Sequence, residues 1–160
     1  MAQGVAFLEG QCLLGNQPWR AYIVKALARN GSFAATYQRP DEVKDVLYDG
    51  ANVVAHPHDP QRQAGQPRIY GGVIAAADIL NKDPVLRDWL RDNRGVRAIE
   101  MEGAGTQTAA WTSGRAAMIV RGVCDYCDTN KNDDWQHYAA LAAAAYARAL
   151  VEVLPEEWFQ

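Results

Sequence analysis

Two stretches of this 160-residue chain place side chains that could do chemistry at the ends of apolar runs. In the first, Ala98-Ile99 leads into Glu100-Met101-Glu102-Gly103. In the second, Ala117-Met118-Ile119-Val120 leads into Arg121-Gly122-Val123-Cys124-Asp125-Tyr126-Cys127-Asp128. Polar groups directly after a buried strand lie at its carboxyl end, where open α/β sheets bind ligands. Two acidic strand ends joined by one short helix frame an active site, and carboxylates are the groups that acid–base work requires. The plainer readings stand beside this one. Asp125 could simply close a turn, Arg121 could be a salt-bridge partner, and Glu100 reads as a structural ion-pair member. Glu100 and Glu102 alternate with Met101, which puts them on the same side of a strand.

Cys124 and Cys127 form a C-x-x-C pair, the spacing of a redox couple or half a zinc site. No second pair or suitable histidines accompany it, so two ordinary thiols are expected and no metal. His56, His58 and Asp59 could chelate an ion, but they fall in His56-Pro57-His58-Asp59-Pro60, whose prolines mark a surface loop. His137 reads as a packing or surface residue, the alanine stripe from Ala139 to Ala147 as a tight helix contact, and Trp19, Trp89, Trp111, Trp135 and Trp158 as core or interface.

Elements to position these residues can be read from spacing. Pro18-Trp19 followed by Tyr22, Ile23, Ala26 and Leu27 predicts a helix ending before Asn30-Gly31. Residues 32–67 read as loop, with a helical turn from Asp41 to Tyr48. Arg68 to Ala77 predicts a strand bent, or closely approached, at its Gly-Gly pair. Asp83-Pro84 opens a helix with one apolar face (Val85, Leu86, Trp89, Leu90) that Gly95 closes. Then follow a strand from Val96 to Met101, a helix of small residues from Gly103 to Ser113, a strand from Ala116 to Val123, and a helix from Asp134 to Leu154 that Pro155 stops. Its apolar positions are Leu141, Ala145, Leu150, Val151 and Leu154. This alternation implies an α/β layered fold, with helices flanking a central mixed sheet. The expected organisation is an irregular segment 1–67 with one or two helices, belonging to the same domain as an α/β core at 68–155, then a tail at 156–160.

Composition sets outer bounds. Hydrophobic content of 49% and charged content of 22% match an ordinary globular domain. A net charge of −3 gives no electrostatic basis for nucleic-acid binding. No apolar run reaches the roughly 20 residues of a membrane span, and Met1 to Gly10 lacks a secretory layout. Three cysteines do not make a disulfide framework. The expected location is the cytoplasm, with neither nucleic acid nor membrane as partner.

Glu100-Met101-Glu102-Gly103-Ala104-Gly105, then Ile119 through Asp128, Asp128-Thr129-Asn130-Lys131-Asn132, and Trp135 through Tyr146, together resemble the nucleoside phosphorylase superfamily. That superfamily includes purine and uridine phosphorylases and the methylthioadenosine/adenosylhomocysteine nucleosidases. The likeness is greatest to phosphorylase-like domains of fungal and bacterial multidomain signalling and defence proteins. Gly72-Val73-Ile74-Ala75, Asp78 and Lys82-Asp83 resemble the family's preceding strand and base-side loop. The match is dense from about Tyr70 to Leu150.

The resemblance implies roles. Glu102 takes hydrogen bonds from the ribose 2′- and 3′-hydroxyls, and Met101 packs on the sugar. Asp125 is the acid at purine N7, and Arg121 stands near the attacking phosphate or water. Leu80 and Asn81 line the base pocket. Chemistry supports this division. Breaking the ribosyl–purine bond leaves positive charge on the sugar and negative charge on the base. A general acid at the base is worth about 10²–10⁴-fold, and a carboxylate fixing the hydroxyls holds the sugar and offsets its charge. Burial would keep Asp125 protonated near neutral pH.

The implied function is cleavage of the N-glycosidic bond of a purine nucleoside or nucleotide. No cofactor is implied; inorganic phosphate is a co-substrate if the reaction is phosphorolysis. The alternative is a catalytically inactive nucleoside-binding or oligomerisation module of a signalling protein. Family domains are usually longer, and Gly10, Gly15 and Gly31 do not reconstruct their amino-terminal glycine-rich phosphate loop. A fold incomplete at its amino terminus is therefore expected, and so is a homo-oligomer, since an unpaired sheet edge invites association.

Overall fold

The computed structural model describes residues 2–29, 31–76 and 82–156. They form two compact units.

The helical unit comprises residues 1–39, 120–122 and 136–160. Its elements are α1 (Ala2–Leu13), α2 (Pro18–Leu27), α3 (Ser32–Tyr37) and α6 (Gln136–Glu152). The buried residues of α6 (Tyr138, Ala139, Leu141, Ala142, Ala145, Tyr146, Ala149, Leu150) recur every three or four positions, the spacing of one helix face. Trp19 from α2 is buried to 1% exposure and meets Tyr146 edge-to-face with ring centroids 5.3 Å apart. Leu141, Ala145 and Leu150 are buried as expected, whereas Val151 is half exposed. The alanines serve close approach. A Cβ on Gly122 would lie 2.0 Å from the Ala139 carbonyl oxygen, so only glycine lets the 120–122 segment pass α6. Helices α1 and α3 add to the one or two expected in this region; α1 has no charged residue in its end turns to announce it.

The strand unit comprises residues 40–119 and 123–135. The helical turn expected from Asp41 to Tyr48 is a single 3-10 turn, Glu42–Lys44, capped by the Asp41 side chain. After it comes an unexpected antiparallel hairpin of β1 (Leu47–Asp49) and β2 (Asn52–Val54). Gly50 supplies the left-handed turn residue, φ +59°. Strand β3 (Val73–Ala76) pairs parallel with β4 (Val96–Glu100) through helix α4 (Pro84–Arg94). The Gly-Gly bend corresponds to a register irregularity between Val73 and Ile74. Helix α4 has the boundaries its sequence demands. Asp83 accepts the Val85 N–H at 2.9 Å, Pro84 occupies the first turn, and Gly95 closes it at φ +64°. Helix α5 (Gly103–Thr112) follows β4.

The strand expected at 116–123 needs correction. Residues 116–123 form no strand: the described strands are β1 to β4, and an extended run counts as a strand only through ladder pairing. The described strands make two separate two-stranded sheets. The apolar face of α4 is not a buried one: Val85, Leu86 and Trp89 are exposed, and Arg94 lies over the Trp89 ring. Of the core or interface roles expected of Trp111, its 86% exposure excludes only the core. Trp158 lies outside the described residues.

Candidate functional site

The end of β4 is organised by Glu100, not by Glu102. The Glu100 side chain, 7% exposed, turns onto the first turn of α5. Its Oε1 accepts the Gly103 N–H at 2.7 Å, and its Oε2 accepts the Glu102 N–H at 3.0 Å. A carboxylate at a helix N-terminus satisfies orphan donors and is favoured by the helix dipole. A Cβ on Gly103 would stand 2.1 Å from Oε1, so this cap requires glycine there. The strand alternation stops at Glu100. Met101 and Glu102 follow in a bend, both exposed, and the Glu102 side chain makes no capping bond. Glu100 thus caps the backbone at the start of α5. An open cleft of about 280 Å³ lies beside this turn, walled by β3 (Gly72, Ile74, Ala76), by Glu100, by α5 (Gly103, Ala104, Gln107) and by Ala117, Met118 and Ile119.

Asp125 sits in the loop after residue 122. Its Oδ1 accepts the Cys127 N–H at 2.9 Å, a local turn-making bond. Its Oδ2 accepts from Lys131 Nζ at 2.5 Å and from the Cys124 thiol at 3.5 Å. The Asp125 side chain is 11% exposed and that of Lys131 24%. Burial pushes the Asp125 carboxyl up, but the Lys131 bond and charge and the Cys127 N–H outweigh it, and the pKa falls below the ordinary carboxylate value. This overturns the expectation that burial keeps Asp125 protonated near neutral pH. The resting state is an Asp125 carboxylate against a Lys131 ammonium. Burial, with the Asp125 charge beside them, raises both Cys124 and Cys127. Both therefore rest as thiols rather than thiolates and are slow nucleophiles. Cys127 holds a left-handed backbone, φ +53°, which strains a residue with a side chain.

A second polar cluster adjoins this loop. The Tyr126 hydroxyl donates to Asp45 Oδ1 at 2.6 Å and stands 3.5 Å from His56 Nδ1. Asp45 Oδ2 accepts from Arg62 at 2.8 Å, and the Asp45 carbonyl meets His56 Nε2 at 2.9 Å. On the other flank Arg87 of α4 donates to the Tyr126 carbonyl at 2.8 Å. Burial raises the Asp45 carboxyl, yet the bonds from Tyr126 and Arg62 and the His56 charge hold it below its ordinary value. Asp59 is similarly bonded to Arg68 and Tyr70.

No family model matches the chain. No solved structure matches it either. Curated proteins do. A nucleotide-binding leucine-rich repeat (NLR)-like protein of Hyaloscypha variabilis is 32% identical over 126 residues, covering 72% of this chain and 12% of the relative. The ATP nucleosidase Cap17 of Escherichia coli is 34% identical over 77 residues, 48% of this chain and 15% of the relative. The 5'-methylthioadenosine/S-adenosylhomocysteine nucleosidase of Mycobacterium bovis is 29% identical over 90 residues, 56% of this chain and 35% of the relative. Two of these relatives are nucleosidases, and the chain is similar in sequence to proteins of the nucleoside phosphorylase superfamily. It spans between about an eighth and about a third of the length of these superfamily relatives.

Met101, Glu102 and Asp125 lie in the strand unit, and Arg121 is an exposed residue of the helical unit. None of Met101, Glu102 and Asp125 is among the walls of the cleft. Leu80 and Asn81, with Asp78, lie outside the described residues. Among the described residues no helix is long and apolar enough to cross a membrane, and no three His, Cys, Asp or Glu side chains gather to hold a metal ion. Sequence reasoning passed over Lys131, although it lies in the stretch from Asp128 to Asn132 that carries the resemblance. The Asp45–His56–Arg62–Tyr126 cluster left no sequence signal, since its members lie on either side of the hairpin and in the separate loop after residue 122.

Proposed function

We propose that this chain is the part of a nucleosidase- or phosphorylase-type protein that binds the ribose and base of a purine nucleoside or nucleotide and cleaves its N-glycosidic bond. The observation that carries the reading is Asp125 in direct contact with the Lys131 ammonium, in a chain that two nucleosidases resemble over 77 and 90 residues. In the reaction the C1′–N9 bond breaks, its electron pair passes into the base, and N7 takes a proton. Water, or inorganic phosphate in a phosphorolysis, then bonds to C1′. Asp125 delivers the proton to N7. Because it rests as a carboxylate, that proton is drawn from the Asp125–Lys131 pair as the base displaces water, and the proton that the attacking water or phosphate sheds on bonding to C1′ restores the Lys131 ammonium. Glu102, exposed at the start of α5, accepts the ribose hydroxyls, and Met101 packs beside the sugar. Arg121 beside the nucleophile, and Leu80 and Asn81 beside the base, rest on the family resemblance alone. The same reading carries the layered arrangement around a central mixed sheet, the core at 68–155, a cytoplasmic location and assembly as a homo-oligomer.

One observation favours a second reading. An aspartate held ionised by a lysine can accept a hydrogen bond from a purine amino group without donating a proton, which suits a binding module that does not turn over. Incubation with adenosine, methylthioadenosine and ATP, with and without phosphate, followed by chromatography for free purine base, separates the two. Base release supports cleavage; saturable binding without release supports the module.

A further inference from the structure

We propose that Tyr126 is a positioning residue, whose hydroxyl bond to Asp45 ties the Asp125 loop to the 45–62 segment and so holds Asp125 where the base must meet it. The inference rests on the reading above. Among the described residues, the bonds of Asp125 itself reach Cys124, Cys127 and Lys131, all within its own loop. They fix the local shape of the loop but not its place. Its place is set by Tyr126, gripped through its side chain by Asp45 and through its carbonyl by Arg87 of α4. Asp45 is itself oriented before it meets Tyr126. Arg62 takes its second carboxylate oxygen, and His56 meets its carbonyl while its ring stands 5.8 Å from that of Tyr126. Burial and the Asp45 charge push the Tyr126 hydroxyl strongly up, so it remains a donor throughout the working pH range. A reacting group that is adjacent in sequence inherits this placement, and a misplacement of about 1 Å can cost on the order of 10²-fold in rate.

The strand unit contains its own control. Tyr70 donates to Asp59 at 2.9 Å, the same pair of groups, but ties only residues of the 59–70 segment. The full chain is therefore compared as wild type, Tyr126→Phe and Tyr70→Phe. The first readout needs no activity: alkylation of Cys124 and Cys127 by iodoacetamide, resolved by peptide mass spectrometry. Tyr126→Phe should react about tenfold faster than wild type, the scale of losing one hydrogen bond to a charged partner, and Tyr70→Phe at the wild-type rate. The second is base release. Tyr126→Phe should lower kcat about tenfold or more with KM within about twofold, because ribose anchoring is untouched. Should Tyr126→Phe fail to fold, Asp45→Asn is read in its place. Equal alkylation in the two tyrosine variants overturns the tie. Faster alkylation with unchanged kcat overturns the positioning role. If the wild type releases no base, the cleavage reading fails separately, and adenosine affinity by calorimetry replaces kcat: a Kd unchanged in Tyr126→Phe then overturns the proposal.

Discussion

Replacing Lys131 by methionine removes the cation that keeps Asp125 ionised while preserving much of the side-chain volume. The 2.5 Å bond joins two side chains only 24% and 11% exposed, so solvent screening is weak. A hydrogen bond to a charged partner contributes about 1.5–3 kcal/mol, well above the value below about 1 kcal/mol of a surface pair. The Cys127 N–H and the Cys124 thiol still serve the carboxylate in the variant. The loss at neutral pH should therefore be about 2 kcal/mol. Its pH dependence has a definite sign. The folded Asp125 pKa is depressed, so its stabilisation is fully present above the unfolded carboxylate pKa and is lost as pH falls through the folded one. Without Lys131, burial acts on Asp125 with less opposition and raises its pKa. The difference between wild type and variant should thus narrow steadily on acidification and vanish once Asp125 is protonated in both. Urea unfolding of both proteins, stepped from neutral pH into the acid range, measures it. A deficit that stays constant with pH, or no deficit at neutral pH, would refute the reasoning.

Glu100→Gln should cost about 1.5–3 kcal/mol, since a charged acceptor becomes neutral at a buried helix N-terminus; hydrogen exchange should rise first at the Glu102 and Gly103 amides. Gly122→Ala should destabilise by about 1–3 kcal/mol or more, because the contact 2.0 Å away is α6 backbone, which cannot turn aside as a side chain can; its melting temperature reads this.

What was legible in the sequence follows from how local each signal is. The ends of α4 were readable because Asp83, Pro84 and Gly95 each act within one turn. The hairpin, with Asp49-Gly50 between Leu47-Tyr48 and Val53-Val54, is hidden by a helical turn that the sequence pattern carries from Asp41 on to Tyr48. The strand expected at 116–123 failed for the opposite reason. Its apolar residues satisfy a local pattern, but strand structure needs a partner that the pattern cannot supply. At the site, the chemical character of Glu102 and Asp125 was visible, whereas the charge state of Asp125 depended on a lysine six residues on. The roles of Glu100 and Tyr126 arise from contacts with Gly103 and Asp45, and no residue type announces those in advance.

The central claim is that Asp125 supplies the proton that frees a purine from its sugar. Chromatographic quantification of free base from wild type, Asp125→Asn and Glu102→Gln tests it most directly. The account predicts release by the wild type, loss of at least about 10²-fold in kcat for Asp125→Asn, and a raised KM for Glu102→Gln. Release undiminished in Asp125→Asn, or nucleoside binding by the wild type with no base set free, would contradict it.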